Sequence, residues 1–288
     1  MKYPVTYLFV PADRPERFAK AHASGADAVI FDLEDAVSPG GKDRARANVR
    51  AWVGAHPDAA TRAIVRINDV TTPWFAADLD LLREGGLRFG MLPKAEDPAA
   101  IAMVTASLAP GGGVLPLIET ARGLDSVAAI AAAGGVQRLV FGTLDYAVDL
   151  DLSGDERGLV YPAARIAHAS RCAGLASPVG GVTPAIDDEA RLLADLAFDR
   201  AFGFGAKLCI HPRQVAVVHQ ALLPTSAEID WARRVVAATE GAHGAVLVDG
   251  RMVDRPVVRK AQAILDRAST ARDAIASPKT QHSPPGKT

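Results

Sequence analysis

Two short segments run apolar residues straight into a carboxylate: Leu115-Pro-Leu-Ile-Glu119-Thr and Val140-Phe-Gly-Thr-Leu-Asp145. Glu119 and Asp145 stand 26 positions apart, the length of one strand–helix–strand repeat in an α/β chain. In a parallel barrel that spacing puts both acids on one rim, at neighbouring strand ends. Two such carboxylates can hold a hard divalent cation such as Mg2+ and leave positions open for substrate and water.

Other polar residues close similar apolar runs: Asp13 and Arg14; Asp32, Glu34 and Asp35; Arg66 and Asn68; Lys94 and Glu96; and His211. Charges gathered on one rim must coordinate something or pair with one another. Asp145 alone is equally compatible with capping the helix that follows it. Arg66, in Val65-Arg-Ile-Asn68, can bind a carboxylate through two hydrogen bonds or stabilise an enolate oxygen as charge develops. A structural ion pair with Asp32 or Glu34 is the other reading. Asp32, Glu34 and Asp35 alternate faces on one strand, so Asp32 and Glu34 share an orientation and Asp35 does not. Those two acids are expected to act on Arg66 or on metal-bound water, or to form rim salt bridges. His211 precedes a proline and reads as a structural hydrogen-bonder. Arg14 precedes Pro15, a good first helical residue, so Arg14, Arg17 and Lys20 surround a helix start that suits phosphate, or are solvated surface charges.

The elements that must position these residues recur along the chain. Apolar, β-branched runs fall at 7–10, 28–31, 64–67, 89–92, 114–118, 139–141, 178–182 and 206–210. Between most of them lie helix-period stretches such as 15–23, 98–108, 124–133 and 161–173, with Gly25, Gly86, Gly134 and Gly174 at expected helix stops. Eight strands alternating with helices predict a (β/α)8 TIM barrel over residues 1–223. A doubly wound open sheet is disfavoured because no Gly-x-Gly-x-x-Gly turn follows the first strand. Thr225-Ser-Ala-Glu228 is a capping box. It opens a C-terminal helical extension over 224–268, with a turn at Asp249-Gly250 and a final helix near 256–268, read as a lid or oligomer arm. Residues 269–288, Pro-rich and polar from Ser277, are expected to be a disordered tail.

The chain has 288 residues, 49% of them apolar, enough for one large barrel domain. Lys plus Arg (32) balance Asp plus Glu (33), so no global field favours nucleic acid or an anionic membrane. Cys172 and Cys209 form neither a metal spacing nor a disulfide framework. No apolar run approaches the roughly 18 residues of a membrane span. A soluble cytoplasmic protein is expected.

Four segments together resemble the citrate lyase β-subunit group of the HpcH/HpaI aldolase superfamily. They are Leu8-Phe-Val-Pro-Ala-Asp-Arg-Pro-Glu-Arg-Phe, Asp27-Ala-Val-Ile-Phe-Asp-Leu-Glu-Asp-Ala-Val, Pro116-Leu-Ile-Glu-Thr-Ala and Lys207-Leu-Cys-Ile-His-Pro-Arg-Gln-Val. The resemblance covers about residues 5–265 and implies a barrel, usually trimeric or hexameric, whose extension reaches a neighbouring subunit. It implies that Glu119 and Asp145 are ligands of Mg2+ (or Mn2+) and that Arg66 contacts the substrate and the thioester carbonyl. By the same resemblance Phe9, Arg14 and Lys20 contact coenzyme A, and Asp254 is the acid delivered to the adjacent active site, although it can also simply cap the last helix. One departure stands out. Gly180 occupies the place of an Asp found in many members, and Ala185 lacks a carboxylate, which leaves open the acyl group or thioester arm that is held.

The implied reaction is cleavage, or formation, of a β-hydroxyacyl-CoA thioester such as malyl-, citramalyl- or citryl-CoA, giving a 2-oxo acid and acetyl-CoA. Arg66 would neutralise the thioester enolate, Asp254 would move its carbon-bound proton, and Asp32 and Glu34 would support Arg66. Three alternatives remain at this point: a class II pyruvate-type aldolase acting on free hydroxy-oxo acids, a thioesterase on the same CoA esters, and a complex-dependent citrate lyase subunit using an acyl-carrier protein.

Overall fold

The computed structural model describes residues 3–240 and 245–276. The chain divides into two compact units, Met1–His219 and Gln220–Thr288. In the first, eight parallel strands close into a barrel in sequence order. They are β1 (Thr6–Pro11), β2 (Ala28–Asp32), β3 (Ala63–Arg66), β4 (Phe89–Leu92), β5 (Gly113–Ile118), β6 (Val140–Phe141), β7 (Val179–Gly180) and β8 (Ala206–Cys209). The eight runs read from the sequence are these strands, with ends displaced by at most two residues. The barrel interior is filled by inward-facing residues, among them Tyr7, Ile30, Ile64, Met91, Leu115, Leu117, Val140, Val179 and Leu208, as a packed core and not a pore.

Several helices differ in detail from expectation. The stretch read as one helix over 124–133 is two, Ala121–Asp125 and Val127–Ala132, meeting at Ser126. Gly25, Gly86 and Gly174 do take the left-handed backbone that ends helices, but after Ala132 that residue is Gly135 rather than Gly134.

The register of β7 against β8 fixes which way Gly180 faces. Val179, Ala206 and Leu208 face the barrel interior, so their neighbours Gly180 and Lys207, paired across the two strands, face the surrounding helices. There Lys207 Nζ lies 2.8 Å from Asp199 Oδ2, with both side chains buried. Asp199 belongs to the helix Glu189–Ala201, and burial pushes its carboxyl up against the opposing pull of Lys207. A Cβ on Gly180 would overlap the Asp199 carboxylate. Gly180 therefore lies in the packing behind the barrel wall and not at the barrel mouth. Ala185 lies exposed in the loop after β7.

In the second unit the capping box forms in full: Glu228 N–H donates to Thr225 Oγ1 and Thr225 N–H to Glu228. It opens the helix Ser226–Thr239. The turn at Asp249-Gly250 joins an antiparallel hairpin, β9 (Val246–Val248) and β10 (Arg251–Val253), with both turn residues at positive φ. The last helix, Arg255–Ala276, runs eight residues past the expected 268 because no glycine or proline interrupts it. The rest of the tail lies outside the described residues. Ala232, Val235, Val248, Val253, Ala261 and Ile264 form this unit's own core. Among the described residues no helix is long and apolar enough to cross a membrane.

The buried pair behind β7 gives a direct test. Asp199→Ala strands a buried ammonium and is expected to lower unfolding free energy by about 3–5 kcal/mol. Gly180→Asp is expected to be destabilising alone but to recover much of the loss when combined with Asp199→Ala, because the new carboxylate takes over Lys207. Urea unfolding of the three variants checks this; simple additivity of the two changes would contradict it.

Candidate active site

β5 and β6 end side by side, with Ile118 opposite Phe141 and the Gly142 N–H donating to the Ile118 carbonyl. Glu119 is the next residue after β5 and is only 1% exposed. Its Oε1 accepts from the Lys94 backbone N–H at 2.8 Å, while its Oε2 is buried without a hydrogen-bond partner. Gly142 makes room for it, since a Cβ there would overlap Glu119 Oε2. Burial first, then the charges of Glu34 and Asp145, push the Glu119 carboxyl up to about 8, against the Lys94 N–H and Arg66.

Asp145 lies in the first turn of the helix Thr143–Asp149, whose N-cap is Gly142 with no side-chain cap bond. The capping role open to it from sequence is therefore not used. Its carboxylate instead sits where the helix dipole favours negative charge. Asp145 is thus exposed in the helix after β6 and not at the strand end expected from sequence, yet an unsatisfied buried oxygen, this second carboxylate nearby and a glycine that clears the space fit a hard cation. Among the described residues no group of three or more His, Cys, Asp or Glu could hold a metal. The pair would thus leave coordination positions open, as chemistry at a cation requires.

Arg66 ends β3 directly opposite Asp32, the end of β2. Its Nε and Nη2 donate to the two Asp32 oxygens at 2.8 and 2.7 Å. Nη1 approaches Glu34 Oε2 at 2.8 Å without hydrogen-bond alignment, leaving that oxygen unsatisfied. The Arg66 side chain is 11% exposed. Burial works against its charge, but Asp32 and then Glu34 more than offset this and hold it firmly protonated. Phe9 lies beneath the guanidinium, 4.9 Å from ring centre to Cζ, so it supports Arg66 from inside the mouth. Glu34 lies beyond the strand, contrary to its placement on one from sequence, and its Oε1 accepts from Lys94 Nζ at 2.8 Å. Burial raises its carboxyl, with Arg66 and Lys94 pulling the other way.

The remaining expected residues separate into those near this rim network and those tied elsewhere. Arg14 is the N-cap of the short turn Pro15–Arg17, and it and Lys20 are exposed. Asn68 turns its amide to Asp78 Oδ2 at 2.6 Å, and Glu96 accepts from Thr120 Oγ1. His211 Nδ1 accepts from the Arg213 N–H at the start of Pro212–Leu222, in keeping with its structural reading. Asp254 belongs to the second unit, is exposed, and its Oδ1 accepts from Val257 N–H at 3.4 Å at the head of the last helix.

Sequence reasoning passed over Lys42. It is buried on the helix Lys42–Ala55, where Nζ donates to the carbonyls of Leu33 and Glu34 at 2.6 and 2.7 Å and fixes the loop carrying Glu34. A lone lysine at a helix start carries no local signal of burial. Lys94 was seen as a rim residue, but not as the link between Glu34 and Glu119.

Residues 6–212 match the HpcH/HpaI aldolase/citrate lyase family, and residues 166–271 match the C–C bond lyases of the TIM-barrel fold. A citrate lyase subunit beta-like protein of Mycobacterium tuberculosis is 40% identical over 273 residues, 92% of this chain and 96% of the relative. A (3S)-malyl-CoA thioesterase of Cereibacter sphaeroides is 34% identical over 277 residues, 89% of this chain and 94% of the relative. The crystal structure of protein CitE from Mycobacterium tuberculosis, in complex with magnesium, acetoacetate and coenzyme A, is similar at a TM-score of 0.81 and 36% identity. It covers 92% of this chain and 98% of that one.

The raised Glu119 carboxyl predicts a pH signature of the cation-free protein. A folded value of about 8 against 4.5 unfolded means the group's contribution to stability is fully present below about pH 4.5 and is lost as pH rises through 8. Thermal melting between pH 5 and 9 in chelator should show that decline, and Glu119→Gln should flatten it. An unchanged slope in the variant would refute the assignment.

Proposed function

Because the chain belongs to the HpcH/HpaI aldolase/citrate lyase family and is a carbon–carbon lyase, we propose that it cleaves, or forms, a β-hydroxyacyl-CoA thioester with the aid of Mg2+ or Mn2+. The products would be a 2-oxo acid and acetyl-CoA, with malyl-, citramalyl- or citryl-CoA as candidate substrates. The observation that carries this reading is the unsatisfied Glu119 Oε2 beside Asp145, on the same rim as Arg66. Related CitE structures are complexes with magnesium and pyruvate, and with oxaloacetate and magnesium.

Bound by Glu119 and Asp145, the cation would supply Lewis acidity towards the oxygens of the 2-oxo acid and its parent. During cleavage the hydroxyl proton would pass to water, the O–H electron pair would become the second bond of the new carbonyl, and the C–C pair would pass to the thioester enolate. Arg66 is suited to that enolate oxygen: Asp32 uses one N–H each of Nε and Nη2, and further donors of the five-donor guanidinium remain for a ligand. Asp32 and Glu34 keep the fork from turning. Asp254, delivered from a neighbouring subunit of a trimer or hexamer, would protonate the enolate carbon, or remove that proton in condensation. The exposed Leu247 and Met252 of the hairpin support a role for this extension as an oligomer arm. Phe9, Arg14 and Lys20 are proposed for the coenzyme A arm, the exposed cations meeting its phosphates. A cytoplasmic location accords with the free thiols of Cys172 and Cys209.

A second reading, hydrolysis of the same thioesters, is favoured by the malyl-CoA thioesterases among the relatives. The test is a Mg2+-dependent screen over the three CoA esters, reading 2-oxo acid, acetyl-CoA and free acid separately. The expected result is 2-oxo acid plus acetyl-CoA, abolished by chelator. Glu119→Ala should lose activity entirely, and Arg66→Lys should lower kcat by about 10²–10³. Free acid without 2-oxo acid would establish the thioesterase, turnover of a free hydroxy-oxo acid uninhibited by coenzyme A the aldolase, and activity restricted to acyl-carrier-protein esters the complex-dependent subunit.

A further inference from the structure

Lys94 follows β4 and takes a φ of 44°, a left-handed backbone that a side chain disfavours. That turn aims its N–H at Glu119 Oε1, while Nζ reaches Glu34 Oε1, each at 2.8 Å. One residue thus ties two buried carboxylates that repel one another. Its side chain is 39% exposed, on the solvent side of the buried Glu34 and Glu119, where Asp145 is exposed as well. Lys94 also completes a charge balance. With every group ionised, Asp32, Glu34, Glu119 and Asp145 carry four negative charges and Arg66 and Lys94 two positive ones, and 4 − 2 leaves two negative. Asp35 is omitted because it is largely solvated and 3.8 Å from Arg66, and Lys42 because its ammonium is held behind the loop by the Leu33 and Glu34 carbonyls.

We propose that Lys94 is the residue that sets the charge selectivity of this site: its ammonium retains Glu34 as a partner of Arg66, so that the pocket at Glu119 Oε2 and Asp145 matches a divalent ion. This rests on the cation-site reading given above and adds the residue that selects the ion. Without the ammonium the rim would carry three negative charges, and Glu34, left with Arg66 alone, would be available to a cation. A trivalent ion should then gain over a divalent one of the same size.

The experiment titrates wild type, Lys94→Met and Lys94→Arg with Ca2+ and with Tb3+, ions of similar radius and different charge. No substrate is present, and thermal melting checks the fold. Lys94→Met removes the ammonium and keeps an unbranched side chain on the same backbone; Lys94→Gln carries the same expectation should Met not fold. The expected result is a ratio of Tb3+ to Ca2+ affinity raised by about tenfold in the neutral variant, with Lys94→Arg close to wild type. An unchanged ratio in a folded neutral variant, or an arginine variant that behaves like the methionine one, would overturn the proposal. Wild type binding neither ion would overturn the cation site itself, and this inference with it.

Discussion

Arg66 is nearly out of water, and a desolvated guanidinium is tolerated only where its partners are close and well oriented. The bidentate bond to Asp32 supplies that orientation, and the barrel supplies Asp32, because the two residues end adjacent strands in register. From this pair the charges alternate around the rim through Glu34 and Lys94 to Glu119. Each member is held by an opposite charge or a backbone donor until Glu119 Oε2, where the pattern ends on an oxygen with no partner. Glu34 Oε2 is also without a hydrogen bond but has the Arg66 guanidinium against it, so Glu119 Oε2 is the rim oxygen with neither a donor nor a paired cation, a place for a ligand.

The network is supported from behind. Lys42 binds the two carbonyls at the base of the Glu34 loop and lies against the Trp74 ring. Arg46 and the Asn68 amide converge on Asp78 from either side. These contacts join the helices behind β2 and β3 to the loops that carry the functional charges, so the rim geometry is fixed by the wall as much as by the mouth. The Lys207–Asp199 pair does the same work behind β7 and β8 without reaching the mouth. Buried charge in this barrel thus lies in two separate places, one at the mouth and one behind the wall.

The fold was largely legible in the sequence because each strand is a short apolar run bounded by polar residues. The closed parallel order also follows from the strict alternation of strands and helices. The partnership of Arg66 with Asp32 and Glu34 was foreseen as one of two readings, and the structure brings those residues together. What the sequence could not convey was register-dependent. Gly180 reads as a lost acid until the alternation of Val179 and Lys207 turns it outward against Asp199, nineteen positions on. The backbone N–H of Lys94 as a ligand to Glu119 was invisible for another reason: a left-handed φ at a lysine has no compositional mark. The last helix ran beyond its expected end because Ala271, Arg272, Ala274 and Ala276 favour helix and no glycine or proline interrupts them.

The central claim is that the unsatisfied Glu119 oxygen and Asp145 form the seat of a cation on an otherwise neutralised rim. It is tested most directly by a crystal structure of the Mn2+-soaked protein, with the anomalous signal used to locate the ion. The account predicts a single strong peak between Glu119 Oε2 and Asp145, with Arg66 still bound to Asp32 and Glu34. A peak elsewhere on the molecule, or Glu119 Oε2 satisfied by Arg66 or Lys94 with no ion present, would contradict it.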